Sequence, residues 1–141
     1  HSNQTVTAAV KIVMANGCFD MFHYGHLLHL RAARAMGDLL VVSITADAHV
    51  NKSGRPVFDQ WKRAVMVSEL RCVDDVIIVT GMLDALERVK PDIVVKGRDY
   101  DSLEPEHEAY CKKHGIEIRF TDTPKFSTTE MIDAARRRSG L

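Results

Sequence analysis

The 141-residue chain has no surplus of charge: 19 basic side chains stand against 19 acidic ones, and the formal net charge is zero. That balance excludes a polybasic surface that tracks nucleic acid or anionic lipid, so any anion site must be local. Cysteine is scarce. Cys18, Cys72 and Cys111 are odd in number, widely spaced and without a Cys-x-x-Cys pair, which argues against a structural zinc and for a reducing, cytoplasmic compartment. No apolar run approaches the ~20 residues needed to span a bilayer. The polar start His1-Ser2-Asn3-Gln4-Thr5 lacks a signal-peptide core. His1-Ser2 reads as a tag remnant, and residues 1–8 are expected to lie outside the folded part. Repeats, low-complexity tracts and interdomain linkers are also missing. With 45% hydrophobic residues the chain can build one compact core, so a single domain over 1–141 is expected.

Short apolar runs rich in Val and Ile recur at Val10–Ala15, Leu39–Thr45, Asp75–Val79, Ile93–Lys96 and Ile116–Phe120. Their near-continuous character is that of strands buried on both faces. Helical patterns alternate with them. Tyr24–Met36 carries Leu27, Leu28, Leu30, Ala32 and Ala35 and stops at Gly37. Gln60–Leu70 places Ala64, Val65, Val67 and Leu70 on one stripe, and Met82–Val89 places Leu83, Leu86 and Val89 on another. Trp61, Met66 and Cys72 are expected to pack. Glu104–His114 ends before Gly115, and Thr128–Arg138 closes the chain. The alternation predicts an α/β fold, a Rossmann-like doubly wound sheet of about five parallel strands with helices on both faces and right-handed crossovers. Ligands in such folds bind beyond the carboxyl ends of the strands. Asn16–His26, Ala46–Arg55, Gly97–Ser102 and Thr121–Thr129 should therefore converge.

The first of these junctions carries the most chemistry. Asn16-Gly17-Cys18-Phe19-Asp20-Met21-Phe22-His23-Tyr24-Gly25-His26 joins a strand to a helix. His23 and His26, three residues apart at the helix start, face the same way, and backbone N–H groups there favour an anion. Gly25 has no side chain to hinder a nucleotide. A bland reading exists: paired histidines that only pack, with Asp20 as the helix cap. His23, His26 and His29 also repeat every third residue, but no carboxylate or thiolate shares their face in sequence, which disfavours zinc. Ser127-Thr128-Thr129-Glu130 is a capping box by spacing, and the same hydroxyls at a helix start can cradle phosphate. Asp20 and Asp47 are possible outer ligands of a nucleotide-bound Mg²⁺. Cys18 lacks a paired base and reads as unreactive, and Arg136-Arg137-Arg138 reads as a solvated helix end.

These elements resemble the cytidylyltransferase-like nucleotidyltransferases. The resemblance rests on Gly17-Cys18-Phe19-Asp20, His23-Tyr24-Gly25-His26, Arg71-Cys-Val-Asp74-Asp75, Lys96-Gly97-Arg98-Asp99-Tyr100 and Ser127-Thr128-Thr129-Glu130, which follow in order along nearly the whole chain. Within that family the first and fourth look most like adenylyltransferases that make ADP-heptose. Glycerol-3-phosphate cytidylyltransferases are the nearest alternative, but they carry an arginine where this chain has Thr121-Asp122-Thr123-Pro124-Lys125. The resemblance implies transfer of NMP from ATP or CTP, with Mg²⁺, to a phosphorylated acceptor, and a homodimer. It implies catalytic roles for His23, His26, Lys52 and Thr128. Nucleotide contacts are implied for Gly17, Cys18, Phe19, Asp20, Gly25, Lys96, Gly97, Asp99, Tyr100, Ser127 and Thr129, and acceptor contacts for Arg55, Arg63 and Lys125. No dedicated metal ligand, nucleic-acid partner or membrane contact is expected. A nucleotide-binding regulatory module without turnover is the alternative from another class.

Overall fold

A computed structural model describes residues 9–50, 54, 56–97, 103–122 and 136–138. Among residues 9–122 that are described, five strands alternate with four helices: β1 (Ile12–Gly17), α1 (Tyr24–Arg34), β2 (Leu39–Thr45), α2 (Gln60–Ser68), β3 (Asp75–Val79), α3 (Met82–Val89), β4 (Ile93–Lys96), α4 (Pro105–His114) and β5 (Glu117–Phe120). A 3₁₀ turn over Asp47–His49 follows β2. The strands form one sheet in the order β3-β2-β1-β4-β5, and every pairing is parallel. The expected Rossmann-like α/β architecture is thus observed.

Side-chain alternation along the strands explains why both faces are covered. Val13 and Ala15 of β1, Leu40, Val42 and Ile44 of β2, and Ile93 and Val95 of β4 point to one side, where Leu30 and Ala33 of α1 and Val67 of α2 meet them. Met14 and Val94 point to the other side, against Met82, Ala85 and Leu86 of α3 and Cys111 of α4. A one-residue slip of β1 would exchange these sets, which fixes its register.

Several expected boundaries shift. β1 begins at Ile12, because its ladder with β2 starts at the Ile12–Leu39 pair; Val10 lies ahead of it and is exposed. α1 ends at Arg34 with Ala35 as its cap, and Arg34 Nη1 donates to Gly37 O. A Cβ on Gly37 would sit 2.7 Å from Val13 Cγ2 and 2.9 Å from Lys11 O, so glycine is needed there for close approach. α2 turns Ala64 and Val67 inward, but not Val65, which is 61% exposed. Trp61 and Met66, expected to pack, are also exposed. Of the expected closing helix, only residues 136–138 are described; they are helical and exposed.

Candidate active site

With β1 central and the chain crossing from β3 on one side to β4 on the other, the topological switch lies between β1 and β4. A doubly wound sheet opens its ligand crevice there, at the carboxyl ends. The segments meeting at that edge are the β1–α1 turn and Lys96-Gly97.

The β1–α1 turn departs from ordinary backbone geometry. Phe19 and Met21 both adopt left-handed φ, at 52° and 50°, a region bulky residues seldom occupy and which costs of order 1–3 kcal/mol per residue. The surroundings hold them there. Gly17 leaves room for the Phe19 ring, since a Cβ on it would lie 2.9 Å from Phe19 Cε2. The buried Asp20 carboxylate accepts N–H bonds from Val57 at 2.7 Å and Phe58 at 3.0 Å. Arg63 of α2 completes the bracing: Nε donates to Phe58 O at 2.9 Å, Nη1 to Cys18 O at 2.8 Å, and Nη2 to Asp47 Oδ1 at 2.7 Å.

Two expectations change on this evidence of geometry. Asp20 does not cap α1, because it faces the segment before α2. Arg63, expected at the acceptor, has a fully buried side chain whose three nitrogens all donate to protein. It braces the turn from behind.

His23 itself is the N-cap of α1. Its Nδ1 accepts from Gly25 N at 3.0 Å, and His26 Nδ1 accepts from His23 N at 3.1 Å. This is a reciprocal capping box made by two imidazoles where Ser and Glu usually stand. It has a chemical consequence. A neutral imidazole whose Nδ1 accepts must carry its proton on Nε2, so both rings are set as Nε2–H donors. The rings stack with centroids 4.0 Å apart and planes at 24°. Phe19 meets the His26 ring edge-on at 5.5 Å, and Phe22 lies 5.1 Å away. The pair is therefore fixed in tautomer and in orientation.

Burial disfavours the charged form of these groups. His26 is lowered to about 4, first by desolvation, then by repulsion from His23 and His29. His29 also falls to about 4, by desolvation and by the nearby Lys96. Desolvation lowers His23 as well. Lys96 is lowered by burial, with Glu104 opposing. The His23 and His26 imidazoles are neutral Nε2–H donors, and an arriving polyanion would favour the charged form of Lys96. Burial of the histidines also makes folding sensitive to acid. Between pH 6.5, the ordinary imidazole value, and about 4, the unfolded chain binds protons that the folded His26 and His29 refuse. Stability is then complete above pH 6.5 and declines as pH falls toward 4. Urea midpoints should be lower at pH 5 than at pH 7.5; equal midpoints would show that the two rings are not held neutral.

His29 and Thr121 were not among the expected site residues. His29 Nδ1 and Thr121 Oγ1 are hydrogen-bonded at 2.6 Å, and the Thr121 N–H donates to Lys96 O at 2.9 Å. The only sequence signal for His29 was its spacing from His26, and for Thr121 its place after β5. Asn16 adds a further tie, its Nδ2 donating to the buried Ser43 Oγ at 2.8 Å. The His23, His26 and His29 series has its Nδ1 atoms on Gly25, His23 N and Thr121. Among the described residues no three His, Cys, Asp or Glu side chains are grouped to hold a metal ion.

The structure thus brings together Gly17, Cys18, Phe19, Asp20, His23, Gly25 and His26 in one turn, with Arg63 behind it. Lys96 and Gly97 lie at the neighbouring strand end, and a Cβ on Gly97 would meet open space. Lys52, Arg55, Asp99, Tyr100, Lys125, Ser127, Thr128 and Thr129 lie outside the described residues. No helix among the described residues is long and apolar enough to cross a membrane.

Comparison with known proteins points the same way. A family model described as Cytidylyltransferase-like matches residues 14–134. Over 132 residues the chain is 35% identical to a bifunctional protein HldE of Helicobacter pylori strain G27, covering 90% of this chain and 28% of that protein. The corresponding protein of Helicobacter hepaticus is 36% identical, with 90% and 27% covered. The chain therefore spans little more than a quarter of the length of these relatives. A solved structure of a lipopolysaccharide core biosynthesis protein from Thermoplasma volcanium superposes with a TM-score of 0.73 at 34% identity, covering 83% of this chain and all of that one.

Proposed function

The chain belongs to the cytidylyltransferase-like family, and we propose that it transfers NMP from a nucleoside triphosphate to a sugar phosphate or polyol phosphate. An oxygen of the acceptor phosphate attacks the α-phosphorus, the bond from that phosphorus to the α–β bridging oxygen breaks, and pyrophosphate leaves with the electron pair. No protein nucleophile is required. The protein's part is positioning and stabilisation of the charge that grows on the transferred phosphorus and on the leaving oxygen. The observation that carries this reading is the imidazole capping box at the switch point: two oriented Nε2–H donors on the helix whose next histidine, His29, lies near Lys96. Lys52 and Thr128 are proposed as further catalytic groups, and Arg55 and Lys125 as acceptor contacts. Mg²⁺ would bring charge neutralisation on the triphosphate. Asp20 and the Oδ1 atom of Asp47 are engaged with protein donors, so phosphate oxygens would hold most of that ion.

ATP with a heptose 1-phosphate, giving an ADP-heptose, is the first reading of the substrates. The resemblance of the Asn16–Asp20 and Lys96–Tyr100 elements supports it, as does similarity to a lipopolysaccharide core biosynthesis protein. Pyrophosphate release with ATP or CTP against a panel of sugar and polyol phosphates tests it. Turnover with CTP and glycerol-3-phosphate alone would replace the substrates. Tight nucleotide binding without turnover of any pair would leave a regulatory module.

A homodimer is proposed as well. The outward face of α2 supports it: Trp61, Val65 and Met66, with Phe58 and Met21, are exposed around a concavity of about 690 Å³. A patch of this kind supports an association surface. Light scattering should give twice the chain mass for the parent protein, and Trp61→Glu should shift it toward the monomer.

A further inference from the structure

α1 carries both imidazoles, yet it packs mainly over β1 and β2. The opposite wall of the crevice, Lys96 and the chain leaving β5, belongs to the other half of the sheet. The β1–β4 ladder joins the two halves of the sheet, so what can still slip is the seat of α1 against that wall, and a triphosphate held by both would be misplaced by any slack. Errors of about 1 Å at a reacting centre can cost ~100-fold in rate.

A side-chain bond crosses from α1 to that wall. His29 lies a helical turn beyond His26 on the same face and bonds Thr121 at 2.6 Å, while Thr121 is anchored through its own N–H to Lys96 O. Thr121 is only 3% exposed, so water competes little for its hydroxyl. We propose that the His29–Thr121 bond sets the spacing of the two halves of the site, which makes His29 and Thr121 positioning residues for His26 and Lys96. Neither has to touch substrate.

The bond explains a half-buried histidine that the transfer chemistry does not use. A leucine at position 29 would occupy the same place without desolvating a polar ring. A histidine there carries that cost, and among the described residues its side chain is hydrogen-bonded to the residue that continues from β5.

The proposal rests on the nucleotidyltransferase reading for its kinetic arm and not for its spectroscopic arm. Thr121→Val keeps the shape and removes the hydroxyl, whereas Thr121→Ser keeps the hydroxyl. With the preferred substrate pair, Thr121→Val should lower kcat about tenfold or more and leave the KM of the nucleotide within about threefold. Thr121→Ser should recover most of the loss. In parallel, ¹⁵N-detected NMR of the imidazoles in the ligand-free protein should show the His26 resonances displaced in Thr121→Val and restored in Thr121→Ser, although Thr121 is bonded to His29. Unmoved His26 resonances would overturn the proposal whatever the kinetics. So would a kcat loss that merely tracks the fraction of protein unfolded, or one that Thr121→Ser fails to reverse. If the parent protein turns over no substrate pair, the enzymatic reading fails and the NMR comparison still decides the role of the bond.

Discussion

Replacing His26 with Ala is expected to lower turnover by about 100-fold or more, the loss seen when one preorganised donor to a developing oxyanion is removed. The expectation follows from geometry. His26 Nδ1 accepts from His23 N, so its proton resides on Nε2 and is offered away from the helix start. Burial and the neighbouring histidines lower it to about 4, so near neutral pH it acts as a neutral donor whose orientation needs no rearrangement. Such a donor stabilises a transition state in which phosphoryl charge has grown more than it stabilises the ground state. The KM of the nucleotide should therefore change much less than kcat. His26→Ala also removes half of the capping box, at a cost of about 1 kcal/mol, and a second variant separates the two losses. His26→Glu places the usual capping-box residue at the third helical position, with a carboxylate where the phosphate would approach. It should be more stable than His26→Ala and turn over more slowly still. If both variants kept the parental kcat, His26 would leave the catalytic list. If their rates followed their stabilities, its role would be capping alone.

Much of the fold was legible because the strands carry a burial signal that survives in sequence. Leu39–Thr45, Asp75–Val79 and Ile93–Lys96 were bounded correctly, and so was α3, because each is a short apolar or strongly amphipathic run between turn residues. The histidine pair was also legible, since three-residue spacing at a helix start forces both rings to one side. What remained hidden depends on contacts between distant segments. Asp20 looked like a helix cap because aspartate commonly caps helices, yet its partners, Val57 and Phe58, lie 37 and 38 residues away. His29 and Thr121 are separated by 92 residues, and neither has a local pattern announcing the other. Val65 was placed on the core stripe of α2 because valine is apolar, but the helix turns Val67 inward, and Val65 shares an exposed apolar face with Trp61 and Met66. Hydrophobicity at a position does not say which face of the helix turns inward.

Arg63 was hidden in the same way, and its replacement carries the largest expected loss of stability. The family resemblance made it an acceptor contact, and the structure buries its side chain completely among Phe58 O, Cys18 O and Asp47. Arg63→Ala should destabilise the fold by about 3 kcal/mol, from two carbonyls left without donors and a carboxylate without its partner. The Asp47 side chain is 39% exposed, so water can take over part of that carboxylate, and the carbonyls account for most of the loss. A cycle with Asp47→Ala should therefore show a coupling of only about 1 kcal/mol. Arg63→Lys keeps the charge but cannot reach three acceptors in a planar fork, and it should recover only a minority of the stability. The kinetic effect is indirect. Phe19 and Met21 hold left-handed backbone only while Cys18 and Phe58 are tied on either side, so loosening Arg63 should relax the turn and move His26 through its contact with Phe19. Urea unfolding measures the first effect, and kcat of the folded fraction measures the second. A stable Arg63→Ala protein with weakened binding of the acceptor would return Arg63 to the substrate and remove it from the scaffold.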